Sequence, residues 1–266
     1  MEAEANVLEG TEIVLVRHGR TVWNQLGKFQ GAQDSPLLPE GIASAKALAR
    51  RLAGSSSPIV CAYSSPLGRA WHTAEHLVAA LNIELIAEPL LTERNYGCLE
   101  GLTHEEQWAK HPEVARKQST RDEDFAPPGG GESRADVKKR ASAALLAIAR
   151  RHPKQRVLVV THSGLLSSLM NVVLNQRPNP NPRLRTLRLA NTALNLLRWS
   201  GDGWQLVLWG DVGEFAAAPP VAASSGAGSH LLGACASSPA RLVLSAGAVG
   251  VLLGAATTAA WFRRCQ

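Results

Sequence analysis

Three short apolar runs, each ending directly at polar residues, constrain the fold of this chain more than any other feature. The runs Glu12–Arg17, Pro58–Tyr63 and Arg156–Thr161 have continuous apolar interiors rich in Val, Ile and Leu. A strand of this kind is covered on both faces, as strands in parallel sheets are. Helical patterns separate the runs, and strands that alternate with helices predict a three-layer α/β/α domain with a mainly parallel central sheet.

The remaining elements follow from helix starts, stops and periodicity. Pro39 and Gly54 are start and stop signals for the first long helix. The other patterns predict a third strand and a group of two or three short strands near the end of the domain. The expected helices are Ile42–Leu52, a helix from after Pro66 to Leu81, Glu132–His152 and Gly164–Leu174, and the further strands are Asn82–Ala87 and those within Arg183–Trp209.

The composition changes after the last predicted strand, and it divides the chain into four parts. Residues 1–10 are expected to be an N-terminal extension and residues 11–211 the folded domain. Residues 212–240, rich in Ala, Pro, Ser and Gly, have the composition of a flexible linker. Residues 241–263 are predicted to be a transmembrane tail anchor.

The anchor prediction rests on Leu242–Phe262, which contains no charged residue and is flanked by arginines. At about 1.5 Å per helical residue, this segment matches the bilayer core of about 30 Å. Only four residues follow it, so insertion must come after synthesis and leave the folded domain in the cytosol. A buried or amphipathic helix is the alternative. The basic end and the moderate hydrophobicity favour a mitochondrial, plastid or peroxisomal surface over the endoplasmic reticulum.

Charge and cysteine content narrow the classes of partner. The net charge is +6, yet no block of basic residues interleaved with aromatic residues occurs, so nucleic acid is not an expected partner. The four cysteines form no CxxC pair, which predicts neither a metal knuckle nor a disulfide framework. A GxxxG spacing at Gly250 and Gly254 is one route to a homodimer, beside the alternative of a helix that merely contains small residues.

Two histidines directly follow predicted strands, where ligands bind in sheets of this kind. His18 follows Arg17 and His162 follows the third apolar run. Phosphoryl transfer through histidine needs a neutral imidazole, fixed cations or donors for the phosphate oxygens, and an acid for the leaving oxygen. Arg17, Arg69 and Glu93 are candidates for these parts, since the arginine fork suits phosphate. We therefore predict that His18 accepts a phosphoryl group.

The motifs around these residues resemble those of the histidine phosphatase (phosphoglycerate mutase-like) superfamily, from about Thr11 to Gly210. Five motifs occur in the family's order, and together they are far more specific than any one alone. They are Arg17-His18-Gly19-Arg20-Thr21 with Trp23-Asn24, then Gln30-Gly31 with Asp34-Ser35-Pro36-Leu37, Ser64-Ser65-Pro66-Leu67-Gly68-Arg69-Ala70, Glu93-Arg94-Asn95-Tyr96-Gly97, and Thr161-His162-Ser163-Gly164; Gly130-Gly131-Glu132-Ser133 resembles a further family segment.

The resemblance implies a role for each matching position. His18 would become phosphohistidine, and Arg17, Arg69 and His162 would hold the charge of the phosphate. Glu93 would protonate the leaving oxygen and then act as base for the attacking water. Contacts with a small phosphorylated substrate are implied for Asn24, Gln30, Gly31, Arg94, Tyr96 and Ser163, although Arg94 is equally well interpreted as a salt-bridge partner. No metal and no organic cofactor is implied.

The resemblance leaves the fate of the phosphoryl group open between water and a second substrate. Cofactor-dependent mutases of the family carry a long insertion between the acidic motif and the second histidine, and the short span from Glu93 to His162 lacks it. This favours a phosphomonoester hydrolase, with phosphoserine or a sugar phosphate as the first substrates to consider. A phosphoglycerate mutase remains the alternative within the family, because Glu93-Arg94-Asn95-Tyr96-Gly97 looks mutase-like. A membrane-tethered scaffold that binds phosphorylated partners with little turnover is the alternative from another class.

Overall fold

A computed structural model describes residues 8–173 and 189–213 of the chain. Within them, six strands form one sheet in the order β3-β2-β4-β1-β5-β6. Parallel pairing joins β1 to β4, β4 to β2 and β2 to β3, while β5 and β6 are antiparallel at one edge. The strands are β1 (Thr11–Arg17), β2 (Ile59–Ser64), β3 (Glu84–Ala87), β4 (Arg156–Thr161), β5 (Leu194–Trp199) and β6 (Trp204–Asp211).

Seven α-helices accompany this sheet in the described part of the chain. Four of them are long enough to cover the sheet, and three are short elements of the connecting segments. The helices are α1 (Val22–Gln25), α2 (Pro39–Ala53), α3 (Gly68–Leu81), α4 (His104–Lys110), α5 (Pro112–Thr120), α6 (Arg134–Arg151) and α7 (Ser163–Val173), with two 3₁₀ turns at Pro89–Leu91 and Gly97–Leu99.

The core consists of two apolar layers, one on each face of the sheet. Alternate residues of β1 point to opposite faces, so Ile13 packs with α6 and α7 while Val14 packs with α2 and α3. Both residues are almost completely buried. The continuous apolar pattern of β1 therefore arises because both of its faces are covered, and the three-layer α/β/α prediction is confirmed.

One buried charge lies within the first strand. Glu12 is 2% exposed, and its carboxylate accepts hydrogen bonds from Arg156 on β4 and from Arg198 on β5. These two strands flank β1 in the sheet. The ion pairs therefore join three neighbouring strands at the end of β1 opposite His18.

The main predicted elements are present, with ends shifted by a few residues. The predicted strand Arg156–Thr161 coincides with β4, and the predicted helix to Leu81 coincides with α3 from Gly68 onward. The sheet is mixed, because β5 and β6 run antiparallel to their neighbours, although parallel pairs are the majority. Helices α1 and α5 were not predicted, whereas α4 has Glu105 and Glu106 in its first turn, where the helix dipole favours acidic residues.

Several sequence predictions fall on residues outside the described ranges. They concern the tail anchor at residues 241–263, residues 214–240 of the linker, residues 1–7 of the N-terminal extension and residues 183–188 of the predicted strand group. None of the helices in residues 8–173 and 189–213 is long and apolar enough to span a bilayer.

Candidate active site

His18 lies directly after β1, and its ring is held in one tautomer. Its side chain is buried, and Nδ1 lies 2.8 Å from the backbone oxygen of Gly19. Because a carbonyl oxygen only accepts hydrogen bonds, Nδ1 must carry the proton and Nε2 must carry the lone pair. Burial lowers the pKa of His18 well below its usual range, and the charges of Arg17 and Arg69 lower it further. The ring is therefore a neutral nucleophile, and its Nε2 has no hydrogen-bond partner among the described residues.

His162 occupies the equivalent position after the neighbouring strand β4. The two strands are in register, with Arg17 opposite Thr161, so each histidine is the next residue of its chain. The ring centroids of His18 and His162 lie 5.2 Å apart. His162 is completely buried, and burial followed by the charge of Arg69 lowers its pKa well below the usual range.

Two arginines bring positive charge to these histidines. Arg69, 1% exposed, is fixed in the first turn of α3, where Nη1 donates to the Gln33 oxygen at 2.6 Å and to Asp34 at 3.0 Å. Arg17 donates from Nη1 to the backbone oxygen of Leu189 at 2.6 Å. The Nε atoms of both arginines are buried and have no partner among the described residues.

The electrostatics of the arginines show that the cluster is crowded with positive charge. Burial lowers the pKa of Arg17 to about 10, with a further lowering by Arg69 and an opposing rise from Glu93. Placing like charges in a desolvated site costs free energy unless an anion joins them. The cluster is thus suited to bind an anion.

Glu93 is 7% exposed, and three backbone N–H groups hold its carboxylate. Oε1 accepts from Arg94 N at 2.9 Å and from Leu165 N at 3.0 Å, and Oε2 accepts from Gly164 N at 3.0 Å. Two of these donors belong to the first turn of α7, where free N–H groups and the helix dipole favour a carboxylate. Oε1 therefore has two N–H donors and Oε2 has one.

The residues after Glu93 form a second cluster beside it. Arg94 is 2% exposed and donates to the backbone oxygens of Glu132 and Phe125 at 2.8 and 3.0 Å, which makes it a structural link rather than a salt-bridge partner. Its guanidinium carbon lies 5.3 Å from the centre of the Tyr96 ring. Burial and the nearby Glu93 raise the pKa of Tyr96, which keeps its hydroxyl protonated.

The other predicted substrate contacts are placed around this pair of clusters. Asn24 uses its Oδ1 to accept from Thr21 N and from the Asn191 side chain, which leaves its amide N–H₂ as the available donor. Gly31, at a φ of 54° that favours glycine, offers its backbone oxygen to Arg69 Nη2 at 2.8 Å. Gln30 is buried and its Oε1 has no partner among the described residues, and Ser163 is the first residue of α7.

Three residues of this site had no role assigned from the sequence. Ser65 contacts His162, Asp34 holds Arg69, and Asn191 donates from Nδ2 to the backbone oxygen of His18 at 2.9 Å. Ser65 and Asp34 lie within the motifs, and that position is the sequence signal that could have indicated a role for them. Asn191 had no sequence signal, because only the antiparallel return of β5 places it beside β1.

The arrangement supplies every part that transfer of a phosphoryl group to histidine requires. A neutral imidazole, two guanidinium groups, a second imidazole and a carboxylate converge where β1, β4 and the start of α7 meet. Within residues 8–173 and 189–213, no group of three or more His, Cys, Asp or Glu side chains has the geometry of a metal site.

Comparison with known proteins identifies relatives over the same part of the chain. The family model of the histidine phosphatase superfamily (branch 1) matches residues 13–212. Phosphoglycerate mutase-like protein 4 of Arabidopsis thaliana is 37% identical over 203 residues, which cover 76% of this chain and 85% of that protein. The metal-independent phosphoserine phosphatase of the same plant is 38% identical over 205 residues, which cover 77% of this chain and 83% of that protein.

A solved structure shares the architecture. YhfR of Bacillus stearothermophilus superposes with a TM-score of 0.69 at 31% sequence identity, over 76% of this chain and 98% of the YhfR chain. The match therefore takes in nearly the whole of the YhfR fold.

Proposed function

Because this chain belongs to the histidine phosphatase superfamily and is a phosphatase of that family, we propose that it hydrolyses a small phosphomonoester through a phosphohistidine at His18. The observation that carries the proposal is the state of the His18 ring. It is buried and neutral, its Nε2 lone pair is free, and two arginines lie beside it. These properties are those of a nucleophile that reacts with a bound anion, and they do not fit a purely structural side chain.

The proposed reaction has two displacements at phosphorus. His18 Nε2 forms a bond to phosphorus as the bond to the ester oxygen breaks, and Glu93 gives that oxygen a proton. Water then attacks the phosphohistidine, Glu93 takes a proton from the water, and the P–N bond breaks to release inorganic phosphate and neutral His18. Arg17, Arg69 and His162 stabilise the charge on the phosphate oxygens in both steps.

We propose phosphoserine as the lead substrate, ahead of a sugar phosphate. The relative named as a phosphoserine phosphatase supports this, and so does positive charge near Glu93. Arg94 and Arg134 interact electrostatically with each other and with the Tyr96 hydroxyl, and Arg94 also interacts with the carboxylates of Glu93 and Glu132. A carboxylate on the leaving group would be attracted to these cations, whereas a neutral sugar would not.

A mutase is the second candidate, since one relative is named as phosphoglycerate mutase-like. The two functions differ only in what attacks the phosphohistidine. Substrate tests must therefore include 3-phosphoglycerate with its bisphosphate activator. Transfer to the phosphoglycerate faster than release of inorganic phosphate would establish the mutase.

The hydrolase proposal is tested with the full-length protein in mild detergent and excess chelator. We expect release of phosphate from 4-nitrophenyl phosphate and, with higher catalytic efficiency, from phosphoserine. His18→Ala should abolish release, whereas His104→Ala, at an exposed histidine of α4, should leave it unchanged. Activity that requires an added metal, or that survives His18→Ala, contradicts the mechanism. Binding of phosphate without turnover would instead support the scaffold alternative.

We further propose that residues 241–263 anchor the chain in a membrane, with the linker 212–240 before them. The support is the uncharged segment Leu242–Phe262 and the arginines that flank it. A fluorescent protein fused to residues 236–266 should colocalise with a mitochondrial, plastid or peroxisomal marker. A version with two leucines of the segment changed to arginine is the control, and a diffuse signal from the unchanged fusion would refute the anchor.

A further inference from the structure

Ser65, the residue after β2, makes a direct contact with the second histidine. Its Oγ lies 2.8 Å from His162 Nε2, and both side chains are completely buried. The other ring nitrogen of His162, Nδ1, is buried with no partner in the described part of the chain. A buried polar atom without a partner costs free energy, so the unpaired Nδ1 of His162 needs an explanation.

The direction of the Ser65 hydrogen bond follows from the partners available to it. Ser65 Oγ already accepts from Leu67 N at 3.3 Å, and among the described residues its one other hydrogen-bond partner is His162 Nε2. If His162 donated from Nε2, the hydroxyl hydrogen of Ser65 and the bare Nδ1 would both be buried without a partner. If Ser65 donates to Nε2, only the Nδ1–H of His162 is left over. The second arrangement leaves fewer groups unsatisfied and is the one we adopt.

We propose that Ser65 is a positioning residue that holds His162 as the Nδ1–H tautomer, so that this N–H is the donor offered to the phosphate of the substrate. The inference rests on the proposed function and adds the atom through which His162 acts. A neutral donor is also the form that the surroundings favour, because burial and Arg69 keep the pKa of His162 low. The incoming phosphate oxygen would satisfy the one ring atom that lacks a partner.

The two histidines would then be the same tautomer used in opposite ways. His18 donates its Nδ1–H to the backbone oxygen of Gly19 and presents the lone pair of Nε2 to the substrate. His162 accepts the Ser65 hydroxyl hydrogen at Nε2 and presents its Nδ1–H to the substrate. Each ring has one nitrogen committed to the protein and one committed to the substrate, which prevents either ring from taking the role of the other.

The test uses the full-length protein with ¹⁵N-labelled histidine, inorganic phosphate as the ligand, and three variants. Ser65→Ala removes the hydroxyl, Ser65→Thr keeps one, and Ser64→Ala is the matched control. Ser64 is the neighbouring buried serine, and its hydroxyl donates to the Ser65 backbone oxygen instead of to His162. Signals of His162 are identified by their loss in His162→Gln.

In the unchanged protein we expect the nitrogen signals of His162 to be those of the Nδ1–H tautomer. Ser65→Ala should shift these signals toward the other tautomer and weaken phosphate binding about 10- to 100-fold, as expected when a donor to a charged group is lost. Ser65→Thr should recover most of that binding, and Ser64→Ala should change it less than about threefold.

Two results would overturn the assignment. The first is an Nε2–H tautomer of His162 in the unchanged protein, a result that does not depend on whether the Ser65 variants fold. The second is equal weakening of phosphate binding by Ser65→Ala and Ser64→Ala, because that would show a general packing effect. Failure of the proposed hydrolysis is separate from both, since the tautomer and the affinity for phosphate are measured without turnover.

Discussion

The absence of a side chain at Gly164 gives the sharpest test of how Glu93 works. A Cβ at this position would lie 2.5 Å from Glu93 Oε1 and 2.8 Å from the Tyr96 hydroxyl oxygen. Real Cβ atoms essentially never approach another heavy atom within 3.0 Å, so Gly164→Ala requires a shift of the carboxylate, the ring or the helix start. The N–H groups of Gly164 and Leu165 hold that carboxylate, and the change therefore moves the acid relative to the donors that place it.

The size of the effect follows from the shift that the methyl group demands. Moving Oε1 from 2.5 to 3.0 Å from the new carbon is a displacement of about half an ångström. Misplacement of a catalytic group by about 1 Å costs on the order of 100-fold in rate, so we expect about a tenfold loss of kcat. This equals about 1.4 kcal/mol in activation free energy. Overpacking should also lower the free energy of unfolding by about 1–3 kcal/mol.

The assay compares two esters that differ in their need for an acid. The serine alkoxide of phosphoserine must be protonated as it leaves, whereas 4-nitrophenolate leaves readily without a proton. Gly164→Ala should therefore reduce kcat for phosphoserine more strongly than kcat for 4-nitrophenyl phosphate. Affinity for inorganic phosphate should stay within about threefold, because the phosphate is held by other groups.

The control is Gly203→Ala, at a turn glycine whose added Cβ would meet nothing within 4 Å. It should leave both reactions unchanged. An equal loss of kcat for the two esters in Gly164→Ala, or no loss at all, would refute the role of Glu93 as the acid placed by α7.

Three further predictions concern stability and the phosphate pocket. The pKa values of His18 and His162 lie below the ordinary value of 6.5 in the folded protein, so the unfolded chain binds protons first as the pH falls. As the pH is lowered from about 6.5, the free energy of unfolding should therefore decrease by up to about 1.4 kcal/mol per pH unit for each histidine. In urea titrations, the His162→Asn variant should show a smaller decrease over the same pH range. Glu12→Gln leaves two arginines without their buried carboxylate and should cost about 3–5 kcal/mol in urea unfolding with little change in kcat; a cost below about 1 kcal/mol would contradict the ion pairs of the fold. Asp34→Ala removes the carboxylate that holds Arg69 and should lower kcat/KM about tenfold, and unchanged kinetics would show that the backbone contacts of Arg69 suffice.

The fold was largely predictable because its dominant signal is local. A strand covered on both faces must be apolar throughout, so β1, β2 and β4 could be recognised from composition alone. The positions of His18 and His162 followed from the strand ends. Helix α5 was missed because it is short and contains few apolar residues.

The site was predictable in its residues and much less in its contacts. The expectation for Glu93 concerned only its role, and no pattern indicated that its oxygens would bind the first turn of α7. That contact depends on the packing of a loop against a helix that starts 70 residues later. The hydrogen bond between Asn191 and His18 likewise joins residues that are far apart in the sequence. Long-range hydrogen bonds of this kind depend on tertiary geometry, which a single sequence does not express.

The register between β1 and β4 has a consequence for how such a protein diversifies. His18 and His162 follow residues that pair across two central strands, and the His18 N–H donates to the Thr161 oxygen at 2.9 Å. Their separation is therefore set by the spacing of a buried sheet and does not depend on any loop. The segment from Tyr96 to Ser133, by contrast, belongs to no strand. Substitutions in that segment leave the distance between the two histidines unchanged, so the substrate preference and the geometry of the histidine pair can change independently of each other.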